Sequence, residues 1–401
     1  MTRVVFAWEL GTFLGHVERD LAVAQRLREL GAEVRFVVAS LDTAEKLLAP
    51  AGFTFIPSPM LRRPSRRPRT PVNSSELLLD AGYDDADTVR AAVRGWLELW
   101  KLLAPDVIVN DFAPTALLSA RIAGIPTLPM GPGFTVPPAR DPMPAFRDDK
   151  PPEEAALRAA DEKLLATINQ VAESFGRPRF ESVGALFRNP DAQITSFAEL
   201  DPFGPRADAQ YVGPVSARGR FRREQWSGRR LARVFAYLQS NVAGLEVILA
   251  ALRQPAIETI CVIPEARDAL VKRFQNEQLR IFSEPLELGE LLTGASAVVS
   301  YGSAGLVSSA LQAGAPLLLF PKFLEQHLNS SRAARLGAAI MYPGMPTGPK
   351  VKAALGALLS NRKYRQAARA FAEKYQNYRH EPAINAVARA IMNRASRSGG
   401  T

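Results

Sequence analysis

The chain has 401 residues, 47% hydrophobic and 22% charged, with a formal net charge of +10. That length suits about two domains, each able to bury its own core, and the composition excludes a low-complexity or disordered chain. The single cysteine, Cys261, excludes an intramolecular disulfide framework and suits a reducing cytoplasm.

Val4 to Trp8 reads as a buried strand; with Glu9 interrupting the apolar run and no small-residue cleavage site, it is not a signal peptide. No apolar run approaches the roughly 18 residues of a transmembrane helix, so a cytoplasmic chain is expected. A Gly-containing loop, Glu9 to His16, leads into an amphipathic helix, Val17 to Leu30, stopped by Gly31. Strand Glu33 to Ala39, a helix over Thr43 to Ala49 and strand Phe53 to Ile56 follow, and this β-α-β-α-β opening implies a parallel sheet with right-handed crossovers.

Met60 to Pro71 is a basic loop holding Arg62, Arg63, Arg66, Arg67 and Arg69. Its prolines and lack of interleaved aromatics argue against a nucleic-acid groove; a solvated loop, or contact with an anionic membrane surface at the inner face or an acidic acceptor, fits better. Helix Asp87 to Leu103 carries Trp96 and Trp100 four residues apart as core contacts. Strand Val107 to Val109 ends at Asn110-Asp111, and helix Pro114 to Ala123 and strand Thr127 to Met130 continue the alternation. The Pro/Gly-rich loop Gly131 to Pro144 is placed to border a substrate cleft. Helix Glu153 to Phe175 and strand Gln193 to Thr195 precede an irregular stretch, Asp201 to Ser227, where the domain boundary is expected.

The alternation restarts with strand Arg233 to Leu238, helix Gly244 to Leu252, strand Thr259 to Ile263, helix Ala266 to Gln275, strand Leu279 to Phe282 and a short helix, Leu286 to Leu292. Then comes the most informative stretch. Val298-Val299 closes a strand, Ser300 to Gly305 is a small-residue turn, Leu306 to Gln312 is a helix, and Leu317 to Phe320 a second strand whose following loop carries Glu325 and Gln326. Such a turn presents the free N–H groups of a helix N-terminus to an anion, most often a phosphate. Helix Asn329 to Leu336, strand Ala338 to Tyr342, and helices Lys350 to Leu359, Tyr364 to Gln376 and Pro382 to Ser396 complete the chain.

Domain bounds of 1–205 and 206–380 follow, with 381–401 a final helix, able to cross back to the first domain, and tail. Two doubly wound α/β domains would hold a ligand cleft between their sheet ends. Histidines number three, His16, His327 and His380, too scattered for a His-rich metal site. His16, after the first strand, is the best general base, and Asp111, ending a strand on the same sheet edge, can fix its tautomer; Glu9, Glu18 and Asp20 are other partners. The competing reading is that His16 and Asp111 merely cap helices. Ser303, Ala304 and Gly305 would give backbone N–H groups to a diphosphate, Gly302 and Gly305 would permit close approach or positive φ, and Glu325 and Gln326 would meet sugar hydroxyls. Ser240 and Asn241 hold the equivalent rim position after strand Arg233 to Leu238.

Leu10 to His16 with Leu30-Gly31-Ala32-Glu33-Val34, Pro105 to Asp111, Ala123-Gly124-Ile125-Pro126, Tyr211-Val212-Gly213-Pro214, Ser300 to Gly305, Ala313 to Pro316 and Glu325-Gln326 together resemble bacterial glycosyltransferases of the macrolide and UDP-glucuronosyltransferase-like group. The resemblance implies a GT-B fold, two Rossmann-like parallel-sheet domains, with the acceptor in the first and the nucleotide sugar in the second. It implies an inverting transfer from a UDP- or dTDP-sugar to a hydroxyl of an apolar small molecule or lipid, with no metal or other cofactor. His16 would be the base, Asp111 its partner, and Glu325 and Gln326 the sugar-binding pair. The family usually has His-Gly-Gly where this chain has Tyr301-Gly302-Ser303, and that His contacts the diphosphate; Tyr301 can donate a hydrogen bond but brings no charge at pH 7. Glu325 stands where Asp is frequent, moving the carboxylate by roughly 1.5 Å. A non-catalytic sugar-nucleotide-binding protein, or an epimerase of the same architecture, are the alternatives.

Overall fold

The protein is described from a computed structural model over residues 1–11, 14–61, 70–147, 149–216 and 221–397. The arginine cluster Arg62 to Arg69 lies outside these residues. The chain divides into two compact units, Met1–Ala217 with Arg379–Thr401, and Arg218–Tyr378.

The first unit is built on a parallel sheet. Its strands are β1 (Arg3–Trp8), β2 (Glu33–Val38), β3 (Thr54–Pro57), β4 (Val107–Asp111), β5 (Thr127–Gly131), β6 (Gln193–Ile194) and β7 (Gln210–Tyr211), in the order β3-β2-β1-β4-β5-β6-β7. β1, β4 and β5 are apolar and buried almost throughout, as strands covered by helices on both faces must be. Helices α1 (Leu14–Glu29), α2 (Leu41–Leu47), α3 (Ser74–Leu78), α4 (Ala86–Leu103), α5 (Pro114–Ala123), α6 (Glu154–Ser174) and α7 (Val183–Phe187) connect them. The Trp96 and Trp100 rings stack 4.8 Å apart under this sheet.

The second unit repeats the plan. β8 (Ala232–Tyr237), β9 (Ile257–Val262), β10 (Leu279–Phe282), β11 (Ala297–Ser300), β12 (Leu317–Leu319) and β13 (Ala339–Met341) form a parallel sheet in the order β10-β9-β8-β11-β12-β13. α8 (Leu245–Leu252), α9 (Asp268–Phe274), α10 (Gly289–Thr293), α11 (Ala304–Gln312), α12 (Leu324–Arg335), α13 (Gly348–Ser360) and α14 (Arg362–Lys374) surround it. Cys261 is a buried free thiol on β9. The last helix, α15 (His380–Ser396), belongs to the first unit, where His380 Nδ1 lies 2.9 Å from the Pro214 carbonyl oxygen and Arg394 3.5 Å from Asp191.

Several elements differ from the sequence reading. α1 starts at Leu14, which moves His16 from the loop into the first turn. α11 starts at Ala304 and α12 at Leu324, so Ala304, Gly305, Glu325 and Gln326 are helical residues and not loop residues. The irregular stretch after Asp201 contains the edge strand β7. The first unit ends at Ala217, beyond the expected bound of 205, because β7 is still paired to β6. Among the described residues no helix is long and apolar enough to cross a membrane.

Candidate active site

Each sheet has one switch point, where neighbouring strands send their connections in opposite directions. In the first unit it lies between β1 and β4, paired in register at Trp8 and Asp111; in the second it lies between β8 and β11, paired at Tyr237 and Ser300. Ligands of open α/β sheets bind beyond the strand ends at such points. The sequence-derived residues fall on these two edges.

In the first unit, His16 Nδ1 lies 2.9 Å from Asp111 Oδ2, and both side chains are buried. The imidazole stacks on Trp8, with centroids 5.4 Å apart, and on Phe112 at 6.4 Å. Phe112 sits in the left-handed region at φ 48°, a conformation that costs a non-glycine residue about 1–3 kcal/mol and turns its ring toward the histidine. Burial alone would push the Asp111 carboxyl up; the positive charge of Arg19, then that of His16, and their hydrogen bonds hold it below the usual carboxylate range.

Arg19 escaped the sequence reading. It stands one helical turn after His16, and its Nη2 donates to Asp111 Oδ2 at 2.5 Å and lies 3.3 Å from His16 Nδ1. The i, i+3 spacing on a helix beginning before His16 was the available signal. Asp20, beside it, is also buried; burial first and the negative charge of Asp111 second push its carboxyl well above the ordinary range, against the pull of Arg19.

Glu9 is not the partner of His16. Its carboxylate accepts the Thr115 and Ala116 N–H groups, both at 2.9 Å, and so satisfies the first turn of α5. The same fact removes the reading in which Asp111 caps that helix. Burial raises the Glu9 carboxyl to about 8, although the two N–H bonds pull the other way. A carboxyl raised from 4.5 to about 8 favours the fold below pH 4.5, and that contribution disappears as pH rises through 8. Denaturant unfolding at pH 5 and pH 9 should therefore show wild type losing more stability with rising pH than Glu9→Gln.

Gly11 has φ +89°, and a Cβ built there would lie 2.6 Å from His16 Nε2. The glycine keeps the outer ring nitrogen open. Gly11→Ala should cut turnover at least tenfold without removing any reacting group, checked by steady-state rates beside an unchanged circular dichroism spectrum.

Beyond Phe112 the rings of Phe134, Phe146 and Phe203 continue at centroid spacings of 5.6, 5.4 and 5.9 Å. Phe112, Leu78, Leu117, Phe134, Val136 and Phe187 line a pocket of ≈ 510 Å³, counting the part open to solvent. The Gly131-to-Pro144 loop supplies much of its wall.

In the second unit, Ser300 Oγ accepts the Gly302 N–H at 3.1 Å and tightens the turn after β11. Gly302 has φ +86°, and a Cβ there would lie 2.3 Å from Ser330 Oγ and 2.9 Å from the Gln326 carbonyl oxygen. Ser303 occupies the N-cap of α11 with no side-chain capping bond, leaving the first-turn N–H groups available. Gly305 needs no special conformation, since a Cβ would meet nothing within 4 Å. The expectation of positive φ holds for Gly302 alone. Tyr301 is half-buried, edge-to-face with Tyr237 at 6.2 Å. Ser240 and Asn241 are exposed after β8, and the Asn241 carbonyl lies 3.5 Å from Lys322 Nζ.

Gln326 is buried, its Oε1 accepting the Lys322 and Phe323 N–H groups at 2.9 and 3.3 Å. Half-buried Glu325 stands beside it in the first turn of α12. Gln326 therefore secures the start of this helix; its Nε2 has no hydrogen-bond partner.

Comparison with known proteins agrees with this architecture. Residues 246–392 match the family model "Erythromycin biosynthesis protein CIII-like, C-terminal domain". A PGL/p-HBAD biosynthesis glycosyltransferase of Mycobacterium tuberculosis (strain ATCC 25177 / H37Ra) is 27% identical, over 93% of this chain and 88% of the relative. The vancomycin aglycone glucosyltransferase of Amycolatopsis orientalis is 25% identical, over 86% of this chain and 88% of its own. Among solved structures, the spinosyn rhamnosyltransferase SpnG superposes with a TM-score of 0.67 at 18% identity, covering 98% of this chain and 100% of its own. That protein is also known complexed with spinosyn aglycone and with thymidine diphosphate. The chain has the GT-B fold and is a glycosyltransferase, and it is similar to the bacterial macrolide and UDP-glucuronosyltransferase-like enzymes.

Proposed function

We propose that this enzyme transfers a sugar from a UDP- or dTDP-sugar to a hydroxyl of an apolar acceptor, with inversion and without a metal or other cofactor. The observation that carries the reading is the buried His16–Asp111 pair, 2.9 Å apart, at the switch point of the first unit. With Nδ1–H donated to Asp111, Nε2 holds a lone pair beside Gly11 and can take the acceptor's proton. The hydroxyl oxygen then forms a bond to the anomeric carbon as the bond from that carbon to the phosphate oxygen breaks. The electron pair leaves with the nucleoside diphosphate, and the configuration inverts.

The negative charge on the leaving diphosphate is met by the first-turn N–H groups of α11 and the Ser303 hydroxyl. Ser240, Asn241 and Tyr301 stand on the same sheet edge and complete the phosphate side. Glu325 is the group offered to sugar hydroxyls, with Gln326 holding the helix that presents it. Among the described residues no three His, Cys, Asp or Glu side chains gather as metal ligands would. The apolar pocket beside Phe112 suits an aromatic or polyketide-like acceptor.

The thymidine diphosphate complex of SpnG makes dTDP-sugars the first donors to test. UDP- and dTDP-sugars are incubated with phenolic and macrolide aglycones, with and without EDTA, and products are read by mass spectrometry. A glycosylated product at an unchanged rate in EDTA is expected; dependence on added metal would defeat the metal-free reading.

A further inference from the structure

We propose that Arg19 is the positioning residue of this site: its guanidinium fixes the Asp111 carboxylate so that the carboxylate, and not the arginine, takes the His16 Nδ1 hydrogen bond. The inference rests on His16 being the base.

Asp111 is held through one oxygen. Oδ2 accepts from Arg19 Nη2 at 2.5 Å and faces His16 Nδ1 at 2.9 Å, whereas Oδ1 is buried with no hydrogen-bond partner. Gly131 packs closely there: a Cβ on it would stand 3.3 Å from Oδ1 and overlap the Thr135 hydroxyl. Without Arg19, a single bond to the imidazole would orient a fully buried carboxylate. Arg19 itself has only 11% of its side chain exposed, so its charge is little screened by water.

The position of Nδ1 makes that orientation matter. It lies between an acceptor, Asp111 Oδ2 at 2.9 Å, and a donor, Arg19 Nη2 at 3.3 Å. If Nδ1 accepts from Arg19, the ring proton sits on Nε2 and the imidazole cannot take a proton from the acceptor hydroxyl. If Nδ1 donates to Asp111, Nε2 is free. Pinning Oδ2 beside Nδ1 selects the second tautomer.

The test compares kcat and donor KM for Arg19→Met, Arg19→Lys, Asp111→Asn and the Met/Asn double variant, each checked by circular dichroism. Arg19→Met should lower kcat about tenfold to a hundredfold with donor KM within about twofold, as a small misplacement of a reacting group does. Arg19→Lys should recover part of that loss, and Asp111→Asn should cost less in the Met background than alone. A kcat within twofold of wild type for Arg19→Met, or an equal Asp111→Asn cost in both backgrounds, would overturn the proposal. Should Arg19→Met fail to fold, Arg19→Lys and Arg19→Gln decide: Lys must exceed Gln in kcat, and equality overturns the idea. Full activity in His16→Ala would instead defeat the assignment of the base, whereas an inactive His16→Ala beside a fully active Arg19→Met would defeat only the role of Arg19.

Discussion

His16→Ala should lower kcat by about 10²–10⁴, the usual worth of a general base, while leaving the affinity for UDP or dTDP unchanged. The separation follows from where the residues lie. His16 is on α1 in the first unit, and the turn proposed to meet the phosphates belongs to the second. Truncation removes an imidazole stacked between Trp8 and Phe112, so some stability is lost with it. His16→Gln, closer in volume, separates the two effects: it should keep the fold and lose turnover alike. Isothermal titration with nucleotide beside steady-state rates reads both quantities. Activity in either variant within threefold of wild type would remove His16 from the chemistry.

Gly302→Val should weaken nucleotide binding by more than tenfold and leave the first unit intact. At φ +86° a β-branched residue is strained by about 1–2 kcal/mol or more, and the added Cβ would fall 2.3 Å from Ser330 Oγ and 2.9 Å from backbone at Gln326. Neither Ser330, fully buried, nor the backbone of α12 can move far, so the turn before α11 must open. Opening it displaces the first-turn N–H groups of α11, the groups proposed to meet the phosphates. Gly305→Ala is the control, because its Cβ would meet nothing within 4 Å. Comparable affinity in Gly302→Val and wild type would mean that the diphosphate binds elsewhere.

Much of the fold was legible because buried parallel strands are short apolar runs with clear ends. Val4 to Trp8, Leu279 to Phe282 and Leu317 to Phe320 were each read to within a residue of the strands formed. Helix starts were less legible. α12 has no Ser, Thr, Asp or Asn cap at Phe323; Gln326, inside the helix, serves the exposed N–H groups, and a chain pattern cannot distinguish that from a polar loop. The short α3 and the π-helical turn at Leu79–Tyr83 carry no complete period to recognise.

The site divides in the same way. That His16 and Asp111 share a sheet edge follows from strand ends, but their pairing depends on β1 lying directly beside β4, a long-range choice that no local pattern encodes. Glu9, a secondary candidate beside Asp111, serves instead the N-terminus of α5, a role that depends on where α5 packs. Tyr301, where the resembled family usually has a histidine, packs edge-to-face against Tyr237, a contact that depends on β8 lying beside β11.

The anomeric configuration of the product tests the central claim most directly. With a donor of defined configuration and a phenolic acceptor that the enzyme glycosylates, proton NMR of the product gives the anomeric coupling. Direct attack by a hydroxyl activated at His16 predicts the configuration opposite to that of the donor. A product that retains the donor's configuration would contradict single displacement, and with it the role given to His16.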